Sequence, residues 1–450
     1  MSTKIPNSPS LKAADPADSD RGFFFSRSFF ALFWVQFLGA FNDNLFKNAM
    51  VMLIAFQLSR SGEETGLYIT LAAGLFILPF FLFSSLAGQL ADHFPKTVLI
   101  RKIKLAEILI MFSGAIGLLS LQMEWLYASL FLMGVQSAFF GPIKYSILPE
   151  VLCEQQLQRG NSWFSGSTFI AILLGTLVGG LVVSLENGTQ WMALAVVLTA
   201  FLGYLASLKV PHTMSQSQAL RIDRNIFRST VQMIRCGRSY KQAFFAVLAI
   251  SWFWFIGAVL LSQIPAFVKY TLVADESVVV AFLTLFSVGI ALGAGLVAKL
   301  FGSKVELSLH PLMLLLMTLL LLLSVWVADR FAQDALHIMQ AGSLIGLSEF
   351  IGQWPQNLSL LFLFALAVIG GAYIVPLYTH LQLQTPAESR ARMVAVNNIL
   401  NALLMAVSSL LIMLGYLFDL SLPTMLVVMA IMNLFVAAGF YRYQGKPTVE

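Results

Sequence analysis

Gly88-Gln-Leu-Ala-Asp92-His-Phe-Pro95-Lys96 has a counterpart later in the chain, Gly295-Leu-Val-Ala-Lys299-Leu-Phe-Gly302-Ser303-Lys304. Each segment begins with a glycine, has a charged residue four positions later and a turn-forming residue three positions after that. Each also comes at the end of a long apolar run. This spacing, repeated at an offset of 207 residues, predicts an internal repeat, and internal repeats decide architecture.

Long apolar runs surround both copies of the segment. A helix needs about 20 predominantly apolar residues to cross the hydrocarbon core of a bilayer. Runs of that length lie near residues 28–58, 67–91, 97–121, 124–148, 158–185, 190–209, 242–272, 277–301, 306–328, 357–384, 390–418 and 420–441. Six runs, a basic stretch and six more runs predict an all-α membrane protein with twelve transmembrane helices in two pseudo-symmetric six-helix halves.

The pattern of runs divides the chain into five parts. A polar segment over 1–27 lacks the apolar core of a signal peptide and is predicted to be a disordered cytosolic tail. The two six-helix halves, 28–209 and 242–441, flank a basic cytosolic linker over 210–241, and 442–450 forms a second cytosolic tail. Arginines and isoleucines alternate in the linker, which predicts an amphipathic helix that either touches anionic lipids or only connects the halves.

Composition excludes a soluble enzyme. Hydrophobic residues make up 58% of the chain and charged residues only 11%, against about 25% charged residues in a soluble domain. The sequence has no phosphate-binding loop, no HExxH and no GxSxG motif, and its five histidines are scattered. We therefore expect no catalytic residues, no metal site, no cofactor and no nucleic-acid partner.

The distribution of Lys and Arg predicts the orientation. With both termini in the cytosol, the cytosolic tails and loops hold 23 of the 27 Lys and Arg residues. The predicted outer loops hold only Arg60, Lys269 and Arg330, and Lys47 lies within a run. The outer loops are acidic instead, so the charge asymmetry independently supports an even number of spans.

Charged and amide side chains interrupt the first apolar run. Asp43 and Lys47 are spaced i to i+4, so they share a helix face. A charge at the bilayer centre is costly, so both face an interior or a water-filled cavity. They either contact substrate or an ion, or form an internal ion pair that locks this helix to a neighbour. The amides of the same band either bind a phosphate or glycerol group or hydrogen-bond helices together: Asn42, Asn44 and Asn48.

Other runs carry further candidates. Lys144 ends the fourth run, where it either attracts a phosphate at the cytosolic mouth or follows the positive-inside rule with Glu150 as a counter-ion. Trp254 in the seventh run either lines a cavity for an acyl chain or faces lipid. Lys104 and Glu107, spaced i to i+3, predict an intrahelical ion pair.

The segment Gly88-x-x-x-Asp92, with Pro95-Lys96 and Arg101, resembles the loop signature of the major facilitator superfamily. The usual pattern has Gly-Arg in place of Pro95-Lys96, and Arg or Lys in place of His93. The resemblance implies that this loop braces the two halves on the cytosolic side and that its release opens an inner gate. The alternative is that its basic residues only set topology. The predicted gating residues are Gly88, Asp92, Lys96, Arg101 and Glu150.

Three further segments resemble the lysophospholipid transporter family, in particular a branch that some bacteria fuse to an acyltransferase and an acyl-carrier-protein synthetase. They are Phe37-Leu-Gly-Ala-Phe-Asn42-Asp43-Asn44-Leu-Phe-Lys47-Asn48, Gly141-Pro142-Ile-Lys144-Tyr145-Ser-Ile-Leu-Pro149-Glu150 and Ser251-Trp252-Phe-Trp254-Phe255. The resemblance implies inward transport of lysophospholipid across a bacterial inner membrane by alternating access. The chain departs from the fused branch in ending at Glu450, just after the last run, so we expect any acylation to need a separate acyltransferase.

Two other functions remain open at this point. The same fold with another cavity serves transporters of small amphiphiles or metabolites. A non-transporting membrane partner that docks an acyltransferase is the second alternative. The resemblance extends over nearly the whole chain from about Phe29, but neither it nor the residues identify the head group, the driving ion or the oligomeric state.

Overall fold

The structure is a computed structural model that describes residues 27–54, 58, 62–183, 185–213, 225–301, 307–341, 344–354, 356–418 and 420–444. Within these ranges lie twelve helices of 21 residues or more, numbered here in chain order. They are α1 (Arg27–Leu53), α2 (Gly62–His93), α3 (Lys96–Ser120), α4 (Met123–Ser146), α5 (Glu154–Val183), α6 (Gly188–Leu208), α7 (Lys241–Ala266), α8 (Glu276–Phe301), α9 (His310–Ala341), α10 (Asn357–Leu383), α11 (Arg390–Leu417) and α12 (Leu422–Gln444). The predicted tails lie almost wholly outside the described residues.

Eleven of these twelve helices are long and apolar enough to cross a membrane. The other is α1, in which the polar band from Asn42 to Asn48 lowers the mean hydropathy. With 27 residues, α1 is about 40 Å long at 1.5 Å per residue, which is enough to cross the same layer as its neighbours. The prediction of an all-α, multi-pass membrane protein is confirmed.

The ninth helix differs from its prediction. The apolar run near 306–328 predicts its end at about residue 328, but α9 continues to Ala341. Residues 329–341 are more polar, yet they include the strong helix formers Ala, Gln, Leu and Met and contain no Gly or Pro. Hydropathy therefore marks where the apolar layer ends, whereas backbone propensity lets the helix extend beyond it.

The helices pack as two groups with corresponding neighbours. In the first group α1 packs against α5, α2 against α4 and α3 against α6; in the second, α7 packs against α11, α8 against α10 and α9 against α12. Two glycines permit very close helix approach. A Cβ atom on Gly175 of α5 would lie 2.5 Å from the carbonyl oxygen of Phe41 in α1, and one on Gly371 of α10 would lie 2.1 Å from that of Ile290 in α8.

The two groups meet chiefly through α2 with α11, α4 with α11, and α5 with α8 and α10. We call the end at which α2 finishes and α3 begins the basic end, because the sequence predicts that this side is cytosolic and holds most of the Lys and Arg residues. Near this end Asn161 of α5 donates hydrogen bonds to Thr379 (3.0 Å) and Gln382 (2.7 Å) of α10. Gln382 in turn donates to the carbonyl oxygen of Tyr145 at the end of α4 (2.9 Å). These contacts hold the groups together at the basic end.

The linker contains a helix, Ile226–Gly237, within the predicted amphipathic segment; residues 214–224 lie outside the described part of the chain. Its buried face packs on α2 and α11, one helix from each group. The Ser229 hydroxyl lies 2.5 Å from that of Ser85 and accepts a hydrogen bond from Gln89 (2.6 Å). Its other face exposes Phe227 and Val231. The linker helix therefore bridges the two groups at the basic end.

Candidate functional site

A cavity of about 330 Å³ lies between the two groups of helices. Its walls come from α1, α2, α3, α4 and α5 on one side and from α7, α10 and α11 on the other. Most of the lining is apolar and aromatic, including Phe76, Ile77 and Phe80 of α2 and Met405 of α11. A cavity enclosed by both groups of helices is where alternating movement of the groups changes access to a bound molecule.

Stacked aromatic rings close the basic-end side of the cavity. Tyr145 of α4 and Tyr378 of α10 are nearly parallel, with ring centroids 4.1 Å apart. Trp254 of α7 lines the same cavity and stacks on Phe169 of α5 at 6.0 Å. Both pairs join one group of helices to the other, so both groups form the barrier between the cavity and the basic end. The structure thus places Trp254 at the cavity and not on the lipid-facing surface.

Asp43 and Lys144 bring opposite charges to the cavity lining. The Ser137 hydroxyl donates a hydrogen bond to Oδ2 of Asp43 at 2.6 Å. The Lys144 ammonium donates to Oγ1 of Thr168 at 2.8 Å. Among the described residues, no group of opposite charge lies within 4.0 Å of either side chain. Charges kept in a bundle interior without a counter-ion in direct contact are typical of a site for a polar or charged ligand.

Lys144 rests on a set of hydrogen-bonded side chains, Thr168, Gln36 and Ser167, which we call the shelf. Oγ1 of Thr168 lies 3.0 Å from Oε1 of Gln36 and 2.6 Å from the carbonyl oxygen of Phe164, both of which accept from the hydroxyl. The other end of the Gln36 amide donates to Ser167 at 2.5 Å. Because its hydroxyl proton points toward these acceptors, Thr168 presents an oxygen lone pair to the ammonium. The shelf therefore fixes the position of Lys144 without neutralising it.

The structure divides the polar band of α1 between the cavity and the packing. Asn44, like Asp43, lines the cavity, and it accepts a hydrogen bond from Lys47 at 3.1 Å. Asn48 donates to Thr176 of α5 (3.1 Å), which ties the two helices together. Lys47 and Asn48 are not among the cavity-lining residues. The possible ion pair between Asp43 and Lys47 is not formed.

A buried carboxylate lies behind the cavity wall. Glu107 of α3 accepts hydrogen bonds from Lys104 (2.6 Å), Gln136 (3.0 Å) and Asn42 (3.3 Å). Lys104 and Glu107 are 0% and 2% exposed, which confirms the predicted intrahelical pair and shows that it is fully buried. Lys104 also lines the cavity and lies 5.3 Å from the centre of the Phe140 ring. Asn42 thus belongs to this network and not to the cavity lining.

Asp92 connects the two groups at the basic end. This fully buried residue accepts hydrogen bonds from the backbone N–H groups of Ala391 (2.9 Å) and Arg392 (3.1 Å), in the first turn of α11. The Arg392 guanidinium also donates to it at 3.0 Å. Gly88 permits this approach, because a Cβ atom there would lie 2.6 Å from that of Ala395. A carboxylate at a helix N-terminus is stabilised both by free N–H groups and by the helix dipole.

The hydrogen bonds and ion pairs described for the remaining predicted gating residues lie within the first half of the chain. Lys96 forms an ion pair with Glu150, and both side chains are almost fully buried. Arg101 donates to the carbonyl oxygen of Leu208 at the end of α6 (3.2 Å). The structure therefore pairs Glu150 with Lys96 and not with Lys144, which lies at the cavity instead.

The family model described as the Major Facilitator Superfamily matches residues 32–328. The chain belongs to the Major Facilitator Superfamily. Its fold agrees with that of solved members, including an outward-conformation structure of the transporter FucP, with a TM-score of 0.69, 13% identity and coverage of 93% of this chain and 98% of that chain. The proton:xylose symporter XylE gives a TM-score of 0.65 at 15% identity, with 93% and 96% coverage.

Curated relatives are more similar in sequence than these solved structures are. The chain is 28% identical over 368 residues to the lysophospholipid transporter LplT of Serratia proteamaculans, with 79% of this chain and 80% of the relative covered. It is 27% identical to the protein of the same name from Yersinia enterocolitica, with 79% of each chain covered. These similarities agree with the family resemblance stated from the sequence.

Replacing Glu107 with Gln is expected to destabilise this superfamily member by about 3–5 kcal/mol, because it leaves the buried Lys104 charge without a counter-ion. The change also replaces one acceptor oxygen with an NH₂ donor, which then lies next to the donors of Lys104, Gln136 and Asn42. Thermal unfolding of the purified protein, followed by size-exclusion chromatography, measures the loss. The double variant Lys104→Met with Glu107→Gln removes the uncompensated charge and should recover most of the stability. A double variant no more stable than the single one would contradict this explanation.

Several residues of this Major Facilitator site escape sequence reasoning. Thr168 contacts Lys144, Tyr378 stacks on Tyr145, and Arg392 contacts Asp92. Each of the three lies in a long apolar run, and nothing near it in the sequence indicates these contacts. In the sequence, Pro376 in the tenth run precedes Arg392 much as Pro142 in the fourth run precedes Arg159. This faint repeat marks corresponding positions in the two groups, but it does not show which side chain meets Asp92.

Proposed function

We propose that this protein is a secondary transporter that moves lysophospholipids across the bacterial inner membrane by alternating access. The observation that carries the proposal is the cavity itself, which places Asp43 and Lys144 on a mostly apolar wall. A lysophospholipid has a charged head group and one acyl chain, so it needs both kinds of surface in one site. The LplT relatives supply the substrate class.

The arrangement of charges favours a particular pose. The phosphate would approach the Lys144 ammonium, which Thr168 holds in place. The ammonium of an ethanolamine head group would approach Asp43, whose Oδ2 already accepts from Ser137. The acyl chain would then lie along Phe76, Ile77 and Phe80. In this pose the phosphate is the counter-ion of Lys144, and the ethanolamine ammonium is the counter-ion of Asp43.

Transport by this mechanism requires the two groups to rock about the cavity. We propose residues 28–209 and 242–441 as the rocking units, 210–241 as a cytosolic linker, and 1–27 and 442–450 as cytosolic tails. With the basic end in the cytosol, the contacts of Asp92, Asn161 and Tyr145 close the cavity toward the cytosol. The structure then corresponds to the state of the cycle that receives substrate from the outer side.

The function also implies what the protein does not do. We propose transport and no enzymatic role, in keeping with the Major Facilitator family model and the LplT relatives. Acylation of the transported lipid would fall to a separate acyltransferase. The docking of such an enzyme without transport, and the transport of other small amphiphiles, are the competing functions.

Uptake of radiolabelled lysophosphatidylethanolamine by vesicles that contain the purified protein tests the proposal. Parent vesicles should accumulate the lipid well above empty vesicles, and Asp43→Asn vesicles should accumulate far less at equal protein content. An excess of lysophosphatidylglycerol should compete, whereas an uncharged single-chain detergent below its micellar concentration should not. Equal competition by the detergent would favour the broader amphiphile transporter. Uptake no greater than in empty vesicles would reject transport and favour the docking role.

A further inference from the structure

A second cavity, of about 470 Å³, lies between α7, α11 and α12. One wall is a single face of α7, where Phe245, Leu248, Ala249 and Trp252 follow helical i, i+3, i+4, i+7 spacing. The facing wall on α12 has the same spacing over residues 436, 439, 440 and 443. We call this cavity the α7–α12 groove. No residue lines both the groove and the central cavity, so the groove is a separate site.

Aromatic packing gives the groove a fixed shape. The Phe245 ring stacks on Tyr443 at 3.8 Å and meets the edge of Phe440 at 4.5 Å. Trp252 donates from its indole nitrogen to Asn433 at 2.8 Å. At 1.5 Å per residue, the groove extends along α7 from Phe245 to Trp252, about 10 Å. It is therefore a preformed apolar slot that runs from the helix ends into the hydrocarbon layer.

Positive charge surrounds the mouth of the groove. Arg442, in the last turn of α12, lines the groove itself. The Arg238 guanidinium lies 5.9 Å from the centre of the Phe244 ring, next to Phe245, and Lys241 begins α7. All three basic residues are exposed. No acidic side chain lines the groove among the described residues, so nothing there neutralises them.

We propose that the α7–α12 groove binds an anionic phospholipid of the surrounding membrane, with one acyl chain in the slot and its phosphate at Arg442. The apolar slot alone suits any acyl chain, but basic residues at its mouth favour a head group with net negative charge. The site is distinct from the proposed transport site, and its occupant is a resident lipid and not a transported one.

The position of the groove connects it to transport. Trp252 faces the groove, and Trp254, two residues on, lines the central cavity. On α11, Leu404 faces the groove while the adjacent Met405 lines the cavity. A lipid in the groove therefore packs behind two helices that form the cavity wall. Its presence would support that wall as the two groups of helices move.

Native mass spectrometry of the purified full chain tests this inference. The delipidated protein is incubated with dioleoyl phosphatidylglycerol or dioleoyl phosphatidylcholine, and bound lipid is counted. The parent should retain phosphatidylglycerol about fivefold better than phosphatidylcholine, which is the preference expected from one close contact between an arginine and an anionic head group. Arg442→Gln should remove that preference but keep weak binding of both lipids. Lys102→Gln, which removes an exposed charge outside the groove, should behave like the parent.

A second variant fills the slot. Gly439 lines the groove, and a Cβ atom there meets nothing within 4 Å, so Gly439→Leu should occupy the groove without disturbing the fold. It should lose retention of both lipids, whereas Gly295→Leu, also in open space on α8, should not. Equal retention of both lipids by the parent would overturn the proposal, and so would unchanged lipid retention by Gly439→Leu. A parent protein that is a dimer, and that Gly439→Leu converts to a monomer, would also overturn it, because a second copy of the chain would then cover the groove. None of these measurements depends on transport activity.

Discussion

The Asp92→Ala variant is expected to open the basic end and to lose most of its transport activity. Asp92 is buried and accepts three hydrogen bonds from the first turn of α11, one of them from the Arg392 guanidinium. Hydrogen bonds to a charged group contribute about 1.5–3 kcal/mol each. A loss of about 3 kcal/mol would shift the equilibrium between closed and open basic ends by roughly 100-fold.

Accessibility of a buried position reports this shift. Thr379 lies at the closed contact between α5 and α10 and is 1% exposed. In a background in which the exposed Cys153 and Cys236 are replaced by Ser, Thr379→Cys should react slowly with a water-soluble thiol reagent. Adding Asp92→Ala should speed the reaction at least several-fold, whereas adding Lys102→Gln should leave it unchanged. Unaltered reactivity with Asp92→Ala would mean that Asp92 does not keep this end closed.

The Lys144→Gln variant is expected to reduce lysophospholipid uptake by about 100-fold while leaving the protein folded. The Lys144 ammonium faces the cavity, and its one described hydrogen-bond partner is the Thr168 hydroxyl. In a low-dielectric site, removing one charge-assisted contact to a phosphate costs about 3 kcal/mol. Gln retains a donor for Thr168, so the shelf beneath it should persist.

Lys47→Gln provides the matched control for this prediction. Lys47 is also a lysine within the bundle, but it bonds Asn44 and does not line the cavity. Initial rates of uptake at equal protein content should therefore fall much further for Lys144→Gln than for Lys47→Gln. Lys144→Arg, which keeps the charge, should retain part of the activity. Equal losses from both Gln variants would show that the polar band of α1, rather than Lys144, binds the head group.

Patterns along the chain predict the spans well, because each helix must satisfy its own backbone and present an apolar surface to lipid. Even here one boundary is wrong. The end of α9 follows helix propensity to Ala341, which hydropathy does not measure. The linker helix shows a related limit: its amphipathic pattern is correct, but its buried face lies on α2 and α11, and no local pattern indicates that contact.

The polar residues show the same division. Their cost in lipid marks Asp43 and Lys47 as interior residues from the sequence alone, whereas the sequence places Lys144 only at the end of a span. Which of them face a common cavity depends on helix rotation and on side chains from distant spans, such as Thr168 and Ser137. Likewise the i, i+3 spacing of Lys104 and Glu107 predicts their pairing, whereas the donors from α1 and α4 that complete the network come from the packing.

The sequence by itself determined the class, the number and order of the spans, and the family resemblance, because hydropathy, charge asymmetry and short motifs are local properties of the chain. The tertiary structure decided which charges share a cavity, that Asp92 meets the start of α11, and that a groove forms between α7 and α12. Those contacts join residues separated by 100 to 300 positions. Their geometry is set by how whole helices pack, which no single segment of the sequence encodes.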